Sequence, residues 1–141
     1  MRIYVASSWR NTKQPKVVDA LHAAGHEVYD FRHPTPGDYG FRWSEIDPKW
    51  LDWTTEEYRT ALEHPIAKAG FAADMDALMG AQACVLVMPC GRSAHLELGY
   101  AVGAGQRTVI LLDGKAEPEL MYKMAGLVTE KMDEVIKFLQ P

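Results

Sequence analysis

The chain has 141 residues, of which 48% are hydrophobic and 24% are charged, and its formal net charge is −4. This length suits one domain with a real core, and the acidic balance argues against a nucleic-acid polymer as partner, since such binding requires a basic surface. No apolar run is long enough to span a membrane, and the N-terminus lacks the pattern of a signal peptide. We therefore expect a cytoplasmic protein with no membrane partner.

Short apolar runs alternate with helical patterns along the chain, which is typical of a parallel α/β sheet. The pattern predicts strands at 2–6, 27–31, 83–88, 108–112 and 127–128. It predicts helices at about 13–24, 55–63, 65–80 and 93–103, a short helix near Pro118, and a last helix whose apolar stripe is Met132, Val135, Ile136 and Leu139. We expect a flavodoxin-like three-layer sandwich with a five-stranded parallel sheet in the order 2-1-3-4-5.

An aromatic-rich insertion at about 32–64 interrupts this alternation within what we expect to be a single domain, 1–141. It contains Trp43, Trp50 and Trp53, three of the four tryptophans of the chain. Loops of this length usually are functional or carry structure of their own, and Thr54 and Glu57 form the pattern of a capping box. The tryptophans either form a wall on which a planar base stacks, or belong to the core or to a subunit contact.

The stretch from Cys84 to Tyr100 carries the most informative chemistry. An apolar strand ends at a short turn, and a helix then opens with Glu97 in or just after its first turn. Ligands of open parallel sheets bind where strands end and helices begin. The positive end of the helix dipole would favour the ionised carboxylate, which suits a nucleophile. The alternative is that Glu97 only complements the dipole.

The first loop, 6–12, follows strand one at the same edge of the sheet. The hydroxyl groups of Ser7 and Ser8, the backbone N–H groups and the guanidinium of Arg10 suit a phosphate or a sugar. An ordinary polar turn between a strand and a helix would have a similar composition. The loop is therefore a candidate binding element.

Other polar residues are weaker candidates. Asp74 and Asp76 lie two residues apart on a predicted helix, so they cannot share a face and only one can point toward the site. Cys84 and Cys90 have a spacing that suits neither a disulfide framework nor a zinc site. Cys90 and Arg92 also lack the spacing of a cysteine phosphatase loop, so Cys90 is more simply a small residue in a turn.

Together these pieces resemble the nucleoside 2-deoxyribosyltransferase family, including the 2'-deoxynucleoside 5'-phosphate N-hydrolases. The similarity is carried by the stretches 3–10, 74–78, 83–88, 93–101 and 107–110. The most specific of these is the run Glu-Leu-Gly-Tyr-Ala at 97–101, placed after one apolar strand and before another.

The resemblance implies that Glu97 attacks C1' of the sugar and displaces the base, that Asp74 assists, and that the sugar passes to water or to another base. The residues it places near the sugar or a 5'-phosphate are Tyr4, Ser7, Ser8, Trp9, Arg10, Gly91, Arg92 and Ser93. It further implies a small-molecule nucleoside or nucleotide partner, no cofactor and no metal. A homodimer or higher homo-oligomer, with residues shared between subunits, is also implied.

Two other functions remain open. The chain could be a sensing module that holds a nucleotide or an ADP-ribose-like ligand without turnover. It could also be an α/β interaction domain whose tryptophans form a protein interface.

Overall fold

The computed structural model describes residues 1–141 and contains one five-stranded parallel sheet. Its strands are β1 (Arg2–Ala6), β2 (Glu27–Asp30), β3 (Ala83–Val87), β4 (Arg107–Leu111) and β5 (Leu127–Thr129). They are arranged in the order β2-β1-β3-β4-β5, and every neighbouring pair is parallel. The predicted flavodoxin-like α/β fold is thereby confirmed.

Five α-helices accompany the sheet: α1 (Gln14–Ala23), α2 (Thr55–Leu62), α3 (Pro65–Gly80), α4 (Arg92–Gly103) and α5 (Met132–Phe138). Where the sequence predicts a short helix near Pro118, a 3-10 turn spans Leu120–Met124, and two more 3-10 turns lie in the insertion at Trp43–Glu45 and Trp50–Asp52. None of the helices combines the length and the apolar character needed to cross a membrane.

The two faces of the sheet bury two separate apolar clusters. Because side chains alternate along a strand, Ile3 and Val5 of β1 join a cluster with residues of α1 and α5. Tyr4 and Ala6 point the other way and join residues of α3 and α4. All five residues of β3 are buried, as expected for a central strand covered on both faces.

A buried side chain joins the loops that follow β1 and β3. The Asn11 amide nitrogen donates to the carbonyl oxygens of Val87 (3.2 Å) and Pro89 (3.0 Å). Its amide oxygen accepts from the backbone N–H groups of Lys13 and Gln14, just before and at the start of α1. These bonds hold the two loops together at the carboxyl edge of the sheet, where the candidate site lies.

Candidate active site

The two carboxylates selected from the sequence lie in one cleft. Glu97 on α4 and Asp74 on α3 both line two cavities of about 420 and 500 Å³, which also share Phe41, Trp43 and Ser93. Both acidic side chains are partly buried. Cavities of this size fit a small organic ligand. The folded chain therefore brings together residues that lie 23 positions apart in the sequence.

The ionisation of Glu97 is governed by burial rather than by the helix dipole. Burial, and then the negative charge of Asp74, raise the pKa of Glu97 to about 7, while the nearby Tyr4 hydroxyl opposes the rise. Because α4 begins at Arg92, Glu97 lies in the second turn, beyond the main reach of the dipole. The sequence-based expectation that the dipole keeps Glu97 ionised is therefore wrong.

Asp74 is held by a neighbouring tyrosine. The Tyr29 hydroxyl at the edge strand β2 donates a hydrogen bond of 2.9 Å to Oδ1 of Asp74. Burial raises the pKa of Asp74, the bond from Tyr29 lowers it, and the charge of Asp38 raises it. Asp76 is exposed, so only one of the two aspartates on α3 faces the cleft, as predicted.

Tyr4 places an unpaired hydroxyl beside these carboxylates. Its ring is fully buried and stacks on Tyr29 with 5.3 Å between the ring centroids. The Tyr4 oxygen has no hydrogen-bond partner of normal geometry. Burial, and then the charges of Glu97 and Asp74, raise the pKa of this phenol, so it stays neutral and can donate a proton to a hydrogen bond.

The first loop contributes three of its four candidate residues to the 420 Å³ cavity, namely Ser7, Trp9 and Arg10. The Ser7 hydroxyl donates to the carbonyl of Val87 at 2.9 Å, which leaves its lone pairs free to accept. Ser8 lines neither cavity, and its hydroxyl accepts from the backbone N–H of Arg10 at 3.2 Å. The role of Ser8 is thus within the loop.

The turn after β3 contributes less than expected. Ser93 lines both cavities, whereas Gly91 and Arg92 line neither. Gly91 is the N-cap of α4, and Arg92 is exposed on its first turn. Cys90 is not an activated thiol, since burial and then the charge of Glu97 raise its pKa to about 11.

The aromatic insertion forms a wall of the cleft. Phe41, Trp43 and Trp50 line the 420 Å³ cavity, and Phe41 meets Trp43 edge-on with 4.7 Å between centroids. Trp53 lies behind them, 5.6 Å from Trp43, and its Nε1 donates to Asp47 at 2.7 Å. Two of the three tryptophans therefore face the ligand space, and the third supports them.

Several lining or supporting residues were not singled out from the sequence: Tyr29, Phe41, Arg42 and Ser44. The available signal was the interleaving of aromatic and polar residues at 41–44, because a flexible polar linker would not carry it. Arg42 packs its guanidinium over the ring of Trp9, with 4.3 Å from Cζ to the centroid.

No protein-family model matches the chain, and no curated protein matches it. Among solved structures, it is similar to a 2-deoxyribosyltransferase from the psychrotolerant bacterium Bacillus psychrosaccharolyticus, with a TM-score of 0.62 and 17% identity over 96% of this chain and 90% of that chain. It is also similar to the CMP N-glycosidase of Clostridium botulinum, with a TM-score of 0.51 and 15% identity over 99% of this chain and 98% of that chain. The chain therefore has the fold of these two proteins over nearly its whole length, as the resemblance to the nucleoside 2-deoxyribosyltransferase family predicts.

Proposed function

We propose that this protein cleaves the N-glycosidic bond of a nucleoside or of a nucleoside 5'-monophosphate, with Glu97 as the nucleophile. The observation that carries the proposal is the placement of Glu97 and Asp74 together in a ligand-sized cleft with an aromatic wall. Support comes from the two proteins that share the fold, a 2-deoxyribosyltransferase and a CMP N-glycosidase.

In the first step, the ionised carboxylate of Glu97 forms a bond to C1' of the sugar while the bond between C1' and the base nitrogen breaks. The electron pair of the broken bond leaves with the base, which takes up a proton that Asp74 or water supplies. The transition state resembles an oxocarbenium ion, and the adjacent carboxylate stabilises its positive charge. The product of this step is a glycosyl ester on Glu97.

In the second step, water or another base attacks C1', and Glu97 leaves as a carboxylate. Water gives hydrolysis, and a second base gives transfer of the sugar. The free Tyr4 hydroxyl can donate to the departing or returning carboxylate, which lowers the cost of that charge in a buried site. Trp43 and Trp50 offer flat apolar faces against which a base can stack.

We further propose that the protein acts as a homodimer or a larger homo-oligomer. Phe71 and Leu96 are 68% and 76% exposed, and both line the 500 Å³ cavity that Glu97 also lines. Large exposed apolar groups grouped in this way mark interaction surfaces. A second subunit packed there would exclude water from the cleft. Analytical ultracentrifugation tests this proposal: Phe71→Glu with Leu96→Glu should give monomers of lower activity, and an unchanged assembly would contradict it.

The experiment for the proposed activity compares wild type and Glu97→Ala on a panel of nucleosides and monophosphates, with free base measured by chromatography. We expect base release by wild type and a loss of at least about a thousandfold in the variant. Equal rates would show that Glu97 is not the nucleophile.

Tight nucleotide binding without base release over hours would instead favour a sensing module. An assembly that is lost in Trp50 or Trp53 variants, with no ligand that raises the Tm, would favour an interaction domain.

A further inference from the structure

A third cavity is lined by α4 but lies apart from the cleft. It has a volume of about 520 Å³ and is bounded by α4 and by the segment 116–125, which follows β4. The α4 residues in its wall have the i, i+3, i+4, i+7 spacing of one helix face, namely His95, Leu98, Gly99 and Val102. Glu97 lies two positions from both His95 and Gly99, so it points away from this face. No lining residue is shared with the two cavities of the cleft.

The lining of this third cavity is mostly apolar. It includes three methionines, whose flexible thioethers adapt to ligands of different shape: Met88, Met121 and Met124. Met121 and Met124 are 62% and 52% exposed, so apolar surface stands uncovered here. Gly99 leaves a gap in the α4 wall, because a Cβ there would meet nothing within 4 Å. The space therefore has the lining of a site for an apolar molecule.

The polar side chains of the wall, other than its carboxylates, are already paired. The His95 ring bonds through one nitrogen to the carbonyl oxygen of Gly91 and through the other to the Tyr122 hydroxyl, each at 2.8 Å. The rings of His95 and Tyr122 also stack, with 5.8 Å between centroids. The Cys90 thiol lies 3.5 Å from Sδ of Met88. Because these groups bind one another, the polar part of a ligand must be recognised by the carboxylates.

The charge of the lining is negative. Glu117 and Glu119 line the cavity, whereas no lysine or arginine does. Both glutamates are exposed, and neither takes part in the three ion pairs of the protein. Their carboxylates are therefore free to pair with a cation, and they would repel a phosphate or a carboxylate.

We infer that this cavity binds a small molecule with an apolar body and a positively charged end, such as an arylalkylamine. The apolar body fills the space between α4 and the methionines, and the ammonium group lies at Glu117 and Glu119. Burial of the apolar body supplies most of the affinity, while the exposed ion pairs add selectivity for the charged end. This site is separate from the proposed active site and does not depend on the proposed function.

Three probes that share one apolar body test the chemistry of the site: phenylbutylamine, phenylbutanol and phenylbutyrate. Calorimetric titration at neutral pH should give the tightest binding for the amine, then the alcohol, then the carboxylate. In the double variant Glu117→Gln with Glu119→Gln, the preference for the amine over the alcohol should fall about threefold to tenfold. Equal affinities of the three probes for wild type, or an unchanged preference in the double variant, would overturn the inference.

Gly99→Leu tests the location, since the leucine would occupy the open space beside α4. Binding of phenylbutylamine should weaken about tenfold or more in this variant. Gly103→Leu is the matched control, because Gly103 lies on the same helix, also has nothing within 4 Å and lines none of the three cavities. Glu97→Gln should bind the amine as wild type does, because Glu97 lines only the cleft.

Wild-type affinity in Gly99→Leu, or a loss of binding in Glu97→Gln, would overturn the inference. If no probe binds wild type and Gly99→Leu changes the assembly in analytical ultracentrifugation, the face is a contact between copies of the chain and the inference fails. The double glutamine variant keeps the inference testable if Gly99→Leu does not fold.

Discussion

The Tyr29 hydroxyl donates to Oδ1 of Asp74 at 2.9 Å and so connects the edge strand β2 to the helix that carries a candidate catalytic carboxylate. This bond lowers the pKa of Asp74 against the effect of burial, which raises it. The Tyr29 ring also stacks on Tyr4, whose own hydroxyl is unpaired. One side chain therefore positions two members of the site.

Removal of that hydroxyl in Tyr29→Phe should lower kcat/KM by about tenfold, since a buried carboxylate loses a hydrogen bond of roughly 1.5–3 kcal/mol. The aromatic ring and its stacking remain, so the fold should be retained. Tyr39→Phe is the matched control, because Tyr39 is 66% exposed and lines neither cavity. Wild-type kcat/KM in Tyr29→Phe would show that the bond does not position Asp74.

The pH dependence should report the ionisation of Glu97. Only the ionised carboxylate can attack, so kcat/KM should rise with pH through about 7, the pKa to which burial and Asp74 raise this group. Asp74→Asn removes the negative charge that helps to raise the pKa of Glu97. The rise of kcat/KM with pH should therefore move to lower pH in this variant. A limb that lies near pH 4.5, the ordinary value, or that does not move in Asp74→Asn would contradict this assignment.

The same group should make stability depend on pH. Between the ordinary pKa of 4.5 and the folded value of about 7, the folded state binds more protons than the unfolded state, so the free energy of unfolding falls as the pH rises through this window. Glu97→Gln removes this loss and should be more stable than wild type at pH 8, by about 3 kcal/mol. At pH 4 this pH-dependent gain should be absent. Denaturant titrations at pH 4 and pH 8 measure the difference in the free energy of unfolding between Glu97→Gln and wild type. The same difference at both pH values would contradict the prediction.

Gly40 should be intolerant of a side chain. Gly40 has a positive φ, and the Cβ of an alanine there would lie 2.4 Å from the backbone oxygen of Phe31. The segment that carries Arg42 must therefore shift in Gly40→Ala. We expect a loss of about 2–3 kcal/mol in the free energy of unfolding, measured by denaturant titration. Gly37→Ala is the matched control, because Gly37 has a φ of +83° but nothing within 4 Å. Equal losses in the two variants would assign the effect to backbone strain alone.

The fold could be predicted because it depends on local patterns. The alternation of apolar strands and helices predicts the parallel sheet and its order. The capping-box pattern at Thr54 and Glu57 predicts the start of α2, where the Glu57 N–H donates to the Thr54 hydroxyl at 3.2 Å. Glu97 could be selected because the end of a parallel strand and the helix after it define where ligands bind. Asp74 lies on the helix before β3, and only the resemblance to the nucleoside 2-deoxyribosyltransferase family singled it out.

The path of the insertion could not be predicted, because long-range contacts determine it. Residues 31–54 contain only short 3-10 turns, so no periodicity reveals that Arg32 binds the carbonyls of the first loop or that Gly40 lies against Trp9. The high pKa of Glu97 was missed for the same reason. It depends on burial and on Asp74, which the sequence does not place next to it.

The most direct test of the nucleophile is peptide mapping by mass spectrometry after wild type is mixed with a substrate and quenched in acid. We expect a peptide that contains Glu97 and carries the mass of the sugar as an ester, with no such adduct in Glu97→Gln. A sugar adduct on a different residue, or base release by Glu97→Gln at the wild-type rate, would contradict it.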